Sequence, residues 1–171
     1  MKKLTLTFFF ILGVILTSQA QFRMGLGGGV TNLNNKSENG QTMGAYFFLA
    51  PTYQIQPKLD LLFQVDVALD LSGTEADMMY TSLIPIVRYY PWESTVRPFI
   101  HGGVGAFITP EKTLDYGTVI EDKNSVDFGV KVGFGFLFKA ILVSCNYSSA
   151  YTTFVDSSSK GYVDLSVGFR F

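Results

Sequence analysis

Cysteine and histidine occur once each in the 171 residues, as Cys145 and His101. One of each excludes a disulfide framework and any zinc site built from Cys and His. Charge is scarce at 16%, and 13 Lys+Arg stand against 14 Asp+Glu, so there is no polybasic surface for nucleic acid. Proline, at 6, is too rare for a Pro-rich linker protein. Hydrophobic residues make up 47% and aromatics 15%, a composition that excludes a disordered chain. The length suits one domain.

The first twenty residues read as an address. Lys2 and Lys3 form a positive start, Leu4 to Leu16 is an apolar run, and Ser18 and Ala20 occupy the −3 and −1 places of a small-residue cleavage pattern. The run is about 13 residues, short of the roughly 20 that a spanning helix needs. The pattern predicts a signal peptide over 1–20, cleaved before Gln21. No cysteine follows the run, which argues against lipoprotein processing. Loss of Lys2 and Lys3 leaves 11 basic against 14 acidic residues.

After the leader the dominant period is two. Val163, Leu165, Val167, Phe169 and Phe171 alternate with Tyr162, Asp164, Ser166, Gly168 and Arg170. Residues 125–138 set Val126, Phe128, Val130, Val132, Phe134, Phe136 and Phe138 against residues such as Asp127, Lys131 and three glycines. Residues 59–71 do the same, with Phe63 and Val65 flanking Gln64 and Asp66. Strict alternation is the signature of strands with two unlike faces. Noisier segments at 22–31, 43–55, 80–90, 97–108 and 140–150 bring the predicted strands to eight. The stretch 97–108 is Gly-rich and leaves its facing open.

The connections alternate in length. Asn32–Gln41, Ser72–Met79, Thr109–Asn124 and Tyr151–Lys160 are predicted as long polar loops; Gln56–Lys58, Pro91–Val96 and Lys139–Ala140 are short. Long loops at one end and tight turns at the other fit an all-β fold, an eight-stranded antiparallel up-and-down transmembrane β-barrel, over residues 21–171. In lipid every backbone group must pair within the sheet, so the sheet closes. The bulky, uncharged faces then point to acyl chains. Tyr53, Tyr89, Trp92, Phe136, Phe138, Phe169 and Phe171 gather near the turn end, where an interfacial girdle belongs.

The polar faces carry balanced charge. Arg23, Arg88, Lys131 and Arg170 stand against Asp60, Asp66, Asp70, Asp127 and Asp164, and are expected to form a paired network inside the barrel. A buried charge costs several kcal/mol unless paired. Eight strands leave an interior that side chains fill, so a plugged lumen is expected.

Several stretches resemble small outer-membrane β-barrel proteins of Bacteroidetes-type bacteria. They are Gly27-Gly28-Gly29, Ile84-Pro85-Ile86-Val87-Arg88-Tyr89-Tyr90 and the terminal Val167-Gly168-Phe169-Arg170-Phe171. These proteins form the porin-like group that includes the OmpX-like and PorT-like barrels. The resemblance implies location in the outer membrane. It also implies that the aromatic end, with Phe169 and Phe171, is the signal read by the barrel-assembly machinery. The expected partners are therefore outer-membrane lipid, that machinery, and a surface ligand or secretion partner of unknown identity.

Pro51 and Pro85 fall inside predicted strands, where each removes a ladder hydrogen bond unless a bulge absorbs it. Candidate chemistry is thin. His101 can in principle pair with Ser82 and Asp66 in a hydrolase-like relay, but no Gly-x-Ser-x-Gly pattern accompanies it. Glu111, Asp115, Glu121 and Asp122 match no EF-hand spacing. Cys145 reads as a small apolar residue facing lipid. No cofactor and no metal are expected. The favoured function is a non-enzymatic outer-membrane protein with a structural or surface-binding role through its loops. A secretion or assembly component, a lipid-modifying enzyme using His101, and a narrow small-solute channel stand as alternatives.

Overall fold

A computed structural model describes residues 22–34, 41–71, 77–115, 118–151 and 159–171. The predicted leader over 1–20 lies outside them. The described residues form eight strands: β1 (Phe22–Asn34), β2 (Gln41–Gln56), β3 (Leu59–Asp70), β4 (Asp77–Tyr89), β5 (Val96–Asp115), β6 (Thr118–Phe138), β7 (Ile141–Tyr151) and β8 (Ser159–Arg170). Each pairs antiparallel with its chain neighbour, and β1 also pairs with β8, so the sheet closes into a barrel. Closure removes every free edge within the paired region.

The faces follow the alternation. Along β8, Tyr162, Asp164, Ser166 and Arg170 are buried, while Val163, Leu165, Val167 and Phe169 are exposed. In β6, Phe128 is 77% exposed and Lys131 is wholly buried. In β3, Leu61 and Phe63 point out while Asp60, Gln64 and Asp66 point in. Polar inside and apolar outside inverts a water-soluble protein, and the arrangement is that of a transmembrane barrel. The seven aromatics of the predicted girdle are all exposed on the outer surface near the turn end. The facing that the sequence left open in β5 is now fixed: Phe99, His101 and Phe107 face the lumen, and Ile100 and Val104 face out.

Two-residue turns join β2 to β3 at Pro57-Lys58 and β6 to β7 at Lys139-Ala140. Lys139 takes the left-handed conformation at φ 53°, as primed hairpin turns require.

The predicted loop over Thr109–Asn124 is instead mostly strand. Strand β5 runs to Asp115, β6 starts at Thr118, and the two pair from Thr109↔Ser125 to Asp115↔Thr118. Beyond Ile108 in β5 no pairing to β4 continues, and β7 joins β6 only from Phe128↔Tyr151. A two-stranded ribbon therefore stands past the closed barrel. Outside lipid its residues have no two-faced environment to match, so the alternation that marks the other strands is missing there.

The prolines are absorbed without bulges. Pairing of β2 with β3 lapses between Leu49↔Val65 and Thr52↔Leu62, across Pro51, and resumes in the same register. Pairing of β4 with β5 likewise lapses between Leu83↔Ala106 and Ile86↔Gly103, across Pro85. Each proline keeps a partner on its other side, Met24 for Pro51 and Phe63 for Pro85. The register shifts of the barrel lie elsewhere, between Gln54 and Gln56, Ala68 and Leu69, and Thr113 and Leu114.

Glycines on β6 make room for large rings on β5. Phe99 and His101 sit directly opposite Gly135 and Gly133, and the Phe107 ring leans diagonally over Gly129, two residues from its own partner Asp127. A Cβ at Gly133 would lie 2.6 Å from His101 Nε2, and one at Gly129 2.5 Å from the Phe107 ring. Pairing a ring with a bare backbone fills a narrow lumen without splaying the strands.

Candidate functional site

The charged residues of the lumen fall into two clusters at different heights. The first is at mid-barrel. Lys131 Nζ donates to Asp66 Oδ2 and to the Tyr46 hydroxyl, both at 2.7 Å, and lies 3.8 Å from Asp164 Oδ2. The Tyr46 hydroxyl donates to Asp66 Oδ1 at 2.8 Å. Gln64 Nε2 donates to both of these oxygens, at 2.8 and 2.7 Å. Ser82 donates to Asp66 Oδ2 at 2.8 Å, so four groups satisfy one carboxylate. Tyr80 donates to Asp164 at 3.3 Å and packs on Tyr162 with ring centroids 4.3 Å apart. Phe107 stacks against Tyr162 and completes an aromatic layer beside the knot. Lys131, Asp66, Tyr46, Tyr80, Phe107 and Tyr162 have no exposed surface.

The second cluster sits at the turn end. Arg170 Nη1 donates to Asp60 Oδ2 at 2.8 Å and to the Tyr90 hydroxyl at 2.9 Å, and Tyr90 donates to the same Asp60 oxygen at 2.8 Å. Arg88 lies over the Phe99 ring at 4.4 Å and Arg97 over the Tyr90 ring at 4.1 Å. Arg23 is within electrostatic range of Arg170, Asp60 and Arg97.

The nine charged residues named from the sequence are thus not one network. Asp66, Lys131 and Asp164 meet at mid-barrel; Asp60, Arg170, Arg88 and Arg23 meet at the turn end. Asp127 faces the lumen with its Oδ2 unpartnered, and Asp70 closes β3 at the opposite end from Asp60. The sequence reading missed Tyr46, Gln64, Tyr80 and Tyr90, the neutral groups that bridge the charges. Tyr46 was findable, since it alternates with the outward Ala45 and Phe47. Arg97 was also missed, because the facing of its strand was undecided.

His101 is not assembled into a relay. Its ring stacks on Phe99, with centroids 5.5 Å apart, and its side-chain interaction is with Asn146 rather than with a serine or a carboxylate. The structure joins Ser82 to Asp66 but not to His101. Cys145 lies on the outer side of β7, whereas the His101 side chain faces the lumen. His101 and Asn146 reach the floor of an outer-wall cleft of about 420 Å³ walled by Ile100, Phe134, Cys145 and Tyr147. Among the described residues no cluster of His, Cys, Asp and Glu has the makings of a metal site. The acidic residues from Glu111 to Asp122 lie on the ribbon, whose side chains are outside the described set.

Phe169 and Phe171 stand exposed on the outer face at the turn end. The backbone of Phe171 exchanges both hydrogen bonds with Met24, at 2.8 and 3.0 Å, which ties the last residue to the first turn of the barrel seam.

Solved structures with the same architecture are outer-membrane barrels. Neisserial surface protein A superposes with a TM-score of 0.60 at 17% identity, covering 87% of this chain and 95% of that one. The attachment invasion locus protein Ail of Yersinia pestis gives 0.56 at 15%, covering 88% and 98%. The outer membrane enzyme PagL also gives 0.56 at 15%, covering 87% and 98%. At such identities the likeness is one of fold. No protein-family model and no curated protein matches the sequence.

Proposed function

We propose that this chain is an integral outer-membrane protein without enzymatic activity, that its lumen is sealed, and that it acts as a structural or surface-binding element through its loop end. The observation that carries this reading is the mid-barrel knot. Lys131, Asp66 and Tyr46 are bonded to one another from three different strands and are wholly buried, and an aromatic layer lies against them. A diffusion channel needs a continuous wet path, and this knot sits across it. The ribbon formed by Thr109–Asp115 and Thr118–Ser125 is the feature best placed to meet a partner, because it extends beyond the paired barrel wall. Binding residues favour such projecting segments.

The finer parts of the reading rest on the sequence. The segment 1–20 directs export and is removed. Phe169 and Phe171 address the chain to the barrel-assembly machinery, and the kinship lies with the OmpX-like branch of the porin-like group in Bacteroidetes-type bacteria. A role in secretion or assembly, after the PorT-like branch, shares every one of these features.

The test is twofold. The chain expressed in a diderm bacterium should fractionate with the outer membrane and run as a heat-modifiable band. The purified barrel in a planar bilayer should give no current above background. Recovery from the soluble periplasm, or a steady ion current, would refute the reading. His101→Ala should change neither result, whereas loss of a lipid-modifying activity in that variant would favour the enzyme instead.

A further inference from the structure

Four arginines converge on the turn-end mouth of the barrel, with Asp60 as the carboxylate inside it and Glu93 on its rim. Arg23 is the second residue of β1, Arg88 the next to last of β4, Arg97 the second of β5 and Arg170 the last of β8. Among the described residues the one ion pair that any of them makes is Arg170 to Asp60. Tyr90 and Phe99 cover guanidinium faces, and the Tyr90 hydroxyl takes one hydrogen bond from Arg170 and one from Arg88, which leaves most of their N–H donors over. Arg97 donates to the backbone carbonyl of Pro57. Arg88 is 3% exposed, and its Nε has no partner; the Nε of Arg97 has none either. Five donors on each guanidinium cannot be met by one aspartate, and a buried unpaired charge is costly.

The mid-barrel shows the opposite balance. There Asp66 and Asp164 face one Lys131, and Asp127 is buried four residues further along β6 toward the loop end. The lumen is therefore polarised, cationic at the turn end and anionic toward the loop end. Arg97 reaches the surface at this end, where it lines a cleft of about 480 Å³ with Gln54, Pro57, Glu93, Ser94 and Thr95.

We propose that this arginine cluster is a binding site for a phosphate-type oxyanion, entered from the turn end of the barrel. Planar guanidinium forks match pairs of phosphate oxygens, and such charge-assisted bonds are the stronger class of hydrogen bond. The same oxygens occur on free phosphate and on the headgroup of a phospholipid in the adjoining leaflet. Arg97 guards the entrance, Arg88 forms the floor, and Asp60 holds Arg170 in place.

The experiment is calorimetric titration of inorganic phosphate into the full chain refolded in zwitterionic micelles, with chloride as the background anion. Saturable one-to-one binding is expected. Arg97→Gln should weaken it about tenfold or more, the loss of one charge-assisted bond. Arg88→Gln should act in the same direction. Lys139→Gln, on an exposed turn at the same end, should bind like the wild type. A second arm compares thermal unfolding in phosphatidylcholine vesicles with and without phosphatidylglycerol. A rise with phosphatidylglycerol that shrinks in Arg97→Gln, with no response to free phosphate, assigns the site to headgroups. Binding of free phosphate assigns it to a soluble oxyanion. Absence of both responses, or equal responses in wild type and Arg97→Gln, would overturn the proposal. Arg97 is only half-buried, so its variant should fold even where Arg88→Gln does not.

Discussion

Lys131 Nζ lies 2.7 Å from Asp66 Oδ2, and neither side chain has any exposed surface. The two residues come from β6 and β3, which are not neighbours in the sheet, so the ion pair crosses the lumen. It is a strut between opposite walls as well as a plug.

Removing one end of such a strut leaves the other charge buried and unpaired. Lys131→Met should therefore destabilise the barrel by about 3–5 kcal/mol in urea unfolding from micelles. Adding Asp66→Asn should restore part of that loss. A double-mutant cycle with no coupling between the two positions would contradict the pairing.

The outer face should reject charge. Val167→Arg or Val130→Arg should cost about 2–4 kcal/mol near mid-membrane and slow folding into liposomes. Asp127→Asn keeps the lumen polar and should be milder. Equal folding yields for all three would contradict the facing.

How far the sequence led can be judged from single strands. The facing of β3, β6 and β8 was plain, because lipid on one side and a crowded lumen on the other enforce alternation residue by residue. The ribbon was not legible: past the membrane no such constraint acts on Thr109–Asp115 or Thr118–Ser125, and the polar composition read as loop. Nor was the division of the charges into two clusters. Heights in a barrel depend on the stagger between strands, which pattern within one strand does not encode. Arg170 and Asp60 are 110 residues apart, yet they meet at 2.8 Å. Pro51 and Pro85 were read as threats to the register, but a lapse of pairing toward one neighbour accommodates each.

The seam between β1 and β8 depends on bare backbone. A Cβ at Gly29 would lie 1.8 Å from the carbonyl oxygen of Leu165, so the strands must move apart to admit one. Gly29→Ala should destabilise by roughly 1–3 kcal/mol, as overpacking does. At Gly102 the nearest atoms to an added Cβ are 3.8 Å away, and Gly102→Ala should be close to neutral. Heat-modifiability on gels compares the two directly.

Ribbon and barrel should be separable. Replacing residues 110–123 by a short Gly-Ser turn removes pairs that touch neither β4 nor β7. The shortened chain should still fold in micelles with unchanged heat-modifiability. Failure to fold would show that the ribbon is part of the barrel's stability.

The account rests on bulky side chains meeting acyl chains while the ionic ones are shut inside. Nuclear Overhauser contacts in lipid nanodiscs read this residue by residue. Methyl and ring protons of Phe63, Val132, Leu165 and Val167 should show cross-peaks to lipid methylenes, and Lys131 and Tyr46 should show none. Lipid contacts at Lys131 with none at Val167, or a chain that stays monomeric in water without lipid, would contradict it.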